Sequence, residues 1–129
     1  MSIKQLTADG YDGYQETIKS LKGQKIIALF TGSKSLSTGK SWCPDCVEAE
    51  PVVEKFVKNL KTDEDLVFIT CFVGNRDTWK SSDSPFRTDP NLKLTSIPTL
   101  LNVNKKALRL TESQLLNEHL LKSIFQDDE

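Results

Sequence analysis

The sequence is short of the residues that announce a special class of protein. Of its 129 residues only three are cysteine and one is histidine. An odd number of cysteines does not make the disulfide framework of a small secreted domain. Structural zinc takes four ligands, usually as two pairs, and here one cysteine pair has only Cys71 and His119 to join it. No run of about eighteen apolar residues occurs, so nothing reads as a membrane-spanning helix. The opening MSIKQLTADGYDG has no apolar core of signal-peptide length. The expectation is a cytoplasmic protein whose thiols are kept reduced. Charge of one sign is also missing: 17 Lys and Arg stand against 18 Asp and Glu, interspersed, for a net charge of −1. That balance argues against a nucleic-acid partner. Linkers, repeats and low-complexity tracts are absent, so the reading is one domain over residues 1–129, with nothing that demands a dimer.

What is there is ordinary globular material, 37% apolar and 27% charged. A short first strand is expected near Ile3–Leu6. Tyr11, Tyr14, Ile18 and Leu21 fall at helical spacing, with Gly23 as a stop. Lys25–Phe30 (KIIALF) and Leu66–Val73 (LVFITCFV) are continuous apolar runs of strand length, as expected for strands covered on both faces. Between them a helix is predicted from Pro44 to about Leu60, with Val53, Phe56, Val57 and Leu60 as its stripe and a kink at Pro51. A short helix is expected around Asp77–Lys80. PTLLNV and ALRL suit two strands joined tightly at Asn104-Lys105-Lys106. A last helix is predicted from about Glu112 to Phe125, with His119 on its surface. Alternating elements ending in a hairpin imply an α/β domain, a central mixed β-sheet flanked by helices.

The stretch TGKSWCPDC, Thr38–Cys46, contains two competing motifs. GKS resembles the end of a phosphate-binding loop, and the strand-before, helix-after context is right. The spacing is not: the position that should be glycine is Lys34, and Gly32 comes two residues too early. A flexible loop with an exposed Lys40 is the simpler reading. CPDC gains from the same context. Two cysteines three apart at a helix start share one turn. The first faces unpaired N–H groups and the positive end of the helix dipole, which favour the attacking thiolate. The second lies inside the helix, shielded, where it can close onto the first. Lys40 adds positive potential, while Asp45 opposes a thiolate beside it. Cys71, in an apolar strand, reads as a buried small hydrophobe; a redox-sensing thiol is the sharper alternative.

WCPDC, with Pro51 eight residues after Cys43 and SIPTL at Ser96–Leu100, resembles the thioredoxin superfamily. FTGSK, GKSWCPDC, the EP after it, and W, FR and PTLL further on are similar to a small thioredoxin-related branch of it, over essentially the whole chain. The resemblance implies a thioredoxin-like fold and a cis peptide at Ile97-Pro98 facing the dithiol. It implies a redox-active Cys43–Cys46 disulfide with no bound cofactor, Cys43 as nucleophile and Cys46 as resolving thiol. Trp42 would pack beside the pair as substrate surface, Pro44 would start the helix, and Pro98 would shape the groove. The implied activity is disulfide reduction, recharged by thioredoxin reductase with NADPH used indirectly. Implied substrates are small disulfides such as cystine and selected oxidised proteins; roles in redox homeostasis, a peroxidase side activity and signalling partners belong to the same expectation. A redox-switched interaction module is the alternative.

Two departures from ordinary thioredoxins matter. KIIALF offers no buried aspartate before the active site, so proton handling at Cys46 is assigned to Asp45 or a water. The loops Thr31–Ser41 and Gly74–Asn91 are also longer. They are expected to wall the dithiol and restrict its partners. Trp79 and Phe86 would stand on that wall, or else pack down as ordinary cover.

Overall fold

The strand β2 (Ile26–Thr31) is buried at every position, and this fixes the architecture around it. A computed structural model describes residues 3–62 and 64–126. In chain order it has β1 (Ile3–Asp9), α1 (Gly10–Lys19), β2, α2 (Pro44–Asn59), β3 (Leu66–Phe72), α3 (Arg76–Lys80), α4 (Pro85–Thr88), β4 (Thr99–Asn102), β5 (Arg109–Thr111), a 3-10 helix (Glu112–Leu116) and α5 (Glu118–Phe125). The sheet order is β1-β3-β2-β4-β5. β3 runs parallel to β1 and β2, while β4 is antiparallel to β2 and β5 to β4. The mixed sheet flanked by helices is the expected α/β arrangement.

Strand alternation sorts the core into two layers. Ile26, Ala28 and Phe30 face one way and pack with Tyr14, Leu21, Ile69, Trp79 and Phe86. Ile27 and Leu29 face the other way, toward Ala49, Val53 and Val57 of α2 and Leu121, Ile124 and Phe125 of α5. Each such buried Val, Leu or Ile contributes about 1.5–3 kcal/mol over an exposed one. Thr31 has the same parity as Ile27 and Leu29, so the end of β2 presents a hydroxyl to the α2 layer.

Several boundaries differ from expectation. β1 extends to Asp9, in register with β3 from Ile3↔Leu66 to Asp9↔Phe72. α1 ends at Lys19, short of Gly23. The segment after β3 holds two short helices, α3 and α4, rather than one. Asn102 closes the β4–β5 connection, its side chain accepting from the N–H groups of Asn104 and Lys105 at 3.0 and 3.1 Å. α2 runs unbroken through Pro51. The last predicted helix is two pieces. Asn117 sits between them in an extended conformation, its side chain accepting from the N–H groups of His119 and Leu120 at 2.9 and 3.2 Å. A short polar side chain that can cap a new helix start competes with continuing the old one. His119 is on the surface, as expected.

Candidate functional site

The dithiol lies where the chain leaves β2, loops out and enters α2. Cys43 is the N-cap of α2, with extended backbone (φ −94°, ψ 111°), and Pro44 takes the first helical position, where a missing N–H costs nothing. The Cys46 backbone N–H donates to the Cys43 sulfur at 3.2 Å, so this sulfur fills the role an aspartate or serine side chain has at other helix starts. The Cys43 N–H is itself held by Ser41 Oγ at 3.2 Å. Across the groove the Ile97 carbonyl stands 3.9 Å from Cys43 Sγ, next to the Ile97-Pro98 peptide, which is cis. Cys43 is 5% exposed and Cys46 fully buried, and both are free thiols.

The two sulfurs differ in surroundings. Burial pushes the Cys46 thiol up to about 12, and its hydrogen bond with Cys43 adds to the rise. The Thr31 hydroxyl and the Gly32 N–H, which donates to Cys46 Sγ at 3.4 Å, pull the other way without cancelling it. One sulfur thus accepts the Cys46 helix N–H beside the groove, and the other is a shielded thiol one turn inside. That pairing suits attack by the first and ring closure by the second.

Trp42 is tied to the second long loop. Its indole Nε1–H donates to the Gly74 carbonyl at 2.8 Å, which also accepts from Ser33 N–H at 3.0 Å, while Gly74 N–H donates to Ser33 Oγ at 2.9 Å. Gly32 is required by close approach: a Cβ there would lie 2.7 Å from Ser41 Oγ and 2.9 Å from the Trp42 ring. The loop beyond folds on itself through a bridge between Lys34 and Ser41, with Gly39 at φ +72°. GKS therefore lies on this small hairpin, and the helix begins three residues later.

Not every expected site residue comes to the sulfurs. Lys40 and Asp45 are exposed and hydrogen-bond to neither. Trp79 and Phe86 do not stand on the wall; both are buried. Phe86 packs edge-on against Tyr11 and Phe30, and the Arg87 guanidinium covers Trp79 at 4.2 Å. Cys71 is fully buried, with its thiol pushed up to about 12 by burial. Two neighbours of Cys46 went unseen in the sequence. Thr31 Oγ1 donates to Glu50 Oε2 at 2.7 Å, and both side chains are buried. The signal was present: Cys46, Ala49, Glu50, Val53 and Val57 follow helical spacing, which puts a carboxylate on the apolar face of α2.

Residues 7–127 match the family model for the thioredoxin domain of thioredoxin domain-containing protein 17-like proteins. The chain belongs to that family. It is 40% identical to thioredoxin domain-containing protein 17 of Homo sapiens over 97% of each chain. It is 38% identical to the thioredoxin-like protein Clot of Arabidopsis thaliana over 94% of each. Among solved structures it resembles a reduced Schistosoma mansoni thioredoxin, with a TM-score of 0.57 at 9% identity over 96% of this chain and 97% of that one. The Drosophila thioredoxin Deadhead gives 0.54 at 18% identity over 95% and 98%. At such identities the structural likeness speaks for the thioredoxin-like fold, and the family makes this a thioredoxin-like redox protein. Among the described residues no helix is long and apolar enough to cross a membrane.

Proposed function

We propose that the protein is a cytoplasmic disulfide reductase working through Cys43 and Cys46. The observation that carries this is the N-cap placement of Cys43, its sulfur receiving the Cys46 N–H at 3.2 Å and facing the Ile97 carbonyl, with a buried thiol one turn behind. Cys43, as thiolate, attacks a substrate disulfide; a Cys43–substrate disulfide forms and the first substrate thiolate leaves. Cys46 loses its proton and attacks Cys43, the mixed disulfide breaks, and the second substrate thiolate leaves and is protonated. The protein is left oxidised by two electrons as a Cys43–Cys46 disulfide. Thioredoxin reductase, drawing on NADPH, returns the dithiol, and no cofactor is bound.

The two loops joined at Gly74, and the slight exposure of Cys43, favour small or flexible disulfides such as cystine and selected oxidised proteins over bulky ones. Direct oxidation of Cys43 by peroxide, resolved by Cys46, would be a side activity. Signalling proteins are further partners in this reading, and the protein acts as a monomer in one domain. NADPH consumption with thioredoxin reductase tests it, comparing cystine with insulin and using Cys43→Ser as control. Fast turnover on cystine with little on insulin is expected. No turnover on either would replace the reductase with a redox-switched binding module.

A further inference from the structure

Glu50 is 9% exposed, on a helix face otherwise formed by Cys46, Ala49, Val53 and Val57. Among the described residues no cation pairs with it, and the Thr31 hydroxyl at 2.7 Å is its hydrogen-bond partner. A carboxylate taken out of water without a cation is a net cost to folding. Glutamine would fill the same space and accept the same hydrogen bond without a charge. The position therefore points to chemistry. Thr31 supplies the link: its hydroxyl donates to Glu50 at 2.7 Å, the N–H of the next residue, Gly32, donates to the Cys46 sulfur at 3.4 Å, and Glu50 lies one turn after Cys46 on α2.

Resolution requires Cys46 to shed a proton in a place that favours the neutral thiol. We propose that Thr31 and Glu50 form a proton relay for this step. The Cys46 S–H proton passes to Thr31 Oγ1 as the Thr31 hydroxyl proton passes to Glu50 Oε2. The new thiolate is held by the Thr31 O–H, which now points back at sulfur, and by the Gly32 N–H at 3.4 Å. Cys46 Sγ then attacks Cys43 Sγ, the Cys43–substrate bond breaks, and the leaving thiolate takes a proton from water. Glu50 holds the extra proton until it returns to Cys46 on reduction or is lost through its slight exposure. In this relay Thr31 is the residue that exchanges a proton with the reacting sulfur; Glu50 acts through it, as a positioning and proton-holding residue.

Other ionisable groups do not replace it. β2 brings only the Thr31 hydroxyl to this spot. α2 itself brings Cys46 one turn before and the exposed Glu54 one turn after. The 3-10 helix packed on α2 carries the exposed Glu112, and α5 carries the exposed Glu118, His119 and Lys122. None of these hydrogen-bonds or pairs with Glu50.

The inference rests on the exchange reaction proposed above, and one assay separates the two. A symmetrical aromatic disulfide with a coloured thiolate is mixed with the reduced protein in a single turnover. Attack by Cys43 releases the first coloured thiolate and resolution by Cys46 the second, so two phases report the two steps. In Glu50→Gln the second phase is expected to slow by about a hundredfold at neutral pH, the scale of one acid–base group. The deficit should shrink as pH rises, because hydroxide then removes the Cys46 proton directly. Thr31→Val should behave as Glu50→Gln, and Thr31→Ser should restore the second phase. A second phase in Glu50→Gln within about threefold of wild type, less than any acid–base group supplies, overturns the relay. So does a loss of equal size at every pH, which is the mark of a structural role. Wild type without a second phase sinks the exchange reading and the relay with it.

Discussion

Gly32→Ala places one methyl group where the active-site loop has no room. The added carbon would stand 2.7 Å from Ser41 Oγ, 2.9 Å from Trp42 Cε2 and 3.0 Å from Trp42 Nε1. Ser41 can turn aside only by releasing the Cys43 N–H it accepts at 3.2 Å. The indole can retreat only by stretching its 2.8 Å hydrogen bond to the Gly74 carbonyl. Overpacking of this kind costs about 1–3 kcal/mol. A weakened hydrogen bond adds about 1 kcal/mol. Alanine restricts the unfolded chain more than glycine and returns about 0.5 kcal/mol. The expected net loss is about 1.5–3.5 kcal/mol, read from urea unfolding followed by circular dichroism. Trp42→Ala removes both clashing indole atoms, so in that background the cost of Gly32→Ala should fall by about 1–2 kcal/mol, a coupling typical of residues in contact. An alanine variant as stable as wild type refutes the reasoning. A cost of the same size in both backgrounds refutes it too, since the indole would not be the obstacle.

Cys43→Ser should abolish turnover, and Cys46→Ser should accumulate a mixed disulfide visible by mass spectrometry; sustained multiple turnover by the second variant would reverse the assigned roles. Cys71 is a neutral thiol raised by burial from 9.0 to about 12, so its contribution to stability is intact below pH 9 and is lost as pH climbs from 9 toward 12. The loss is about 4 kcal/mol by linkage. The stability gap between wild type and Cys71→Ala, from urea midpoints, should narrow across that window, and a constant gap would contradict the assignment. Asn117→Ala removes the side chain that caps α5 and should cost about 1 kcal/mol, with Asn117→Ser retaining most of it; equal losses in both would mean the cap is not what holds this helix start.

How much was legible in the sequence follows from how far each signal reaches along the chain. KIIALF and LVFITCFV reveal their burial because every position is apolar, which needs no partner to interpret. WCPDC is legible for the same reason, since the spacing, Pro44 and the following helix lie within one turn of each other. The wall aromatics were not. α3 and α4 span 5 and 4 residues, too short for a period to define a face, so Trp79 and Phe86 turn inward under tertiary contacts with Tyr11, Phe30 and Arg87 that local sequence does not show. The break at Asn117 hid because Leu116, Leu120 and Ile124 keep helical spacing across it.

Thr31 and Glu50 are the more instructive miss. Each is visible alone as a polar residue out of place. Thr31 continues the parity of Ile27 and Leu29, and Glu50 interrupts the apolar series Cys46, Ala49, Val53 and Val57. Read singly, Thr31 is the start of a loop and Glu50 a helix-surface acid. Only the layer in which β2 lies under α2 makes them neighbours, 19 positions apart and 2.7 Å in space. The strand lacks the aspartate that ordinary thioredoxins carry before the active site. In the proposed relay a carboxylate on α2, one turn after Cys46, takes that place through a hydroxyl supplied by the strand. Two polar residues that each break an apolar pattern, on two elements bound to pack together, are better read as a pair than as two exceptions. Burying one of them alone costs stability; burying both beside a thiol that must lose a proton gives that proton somewhere to go.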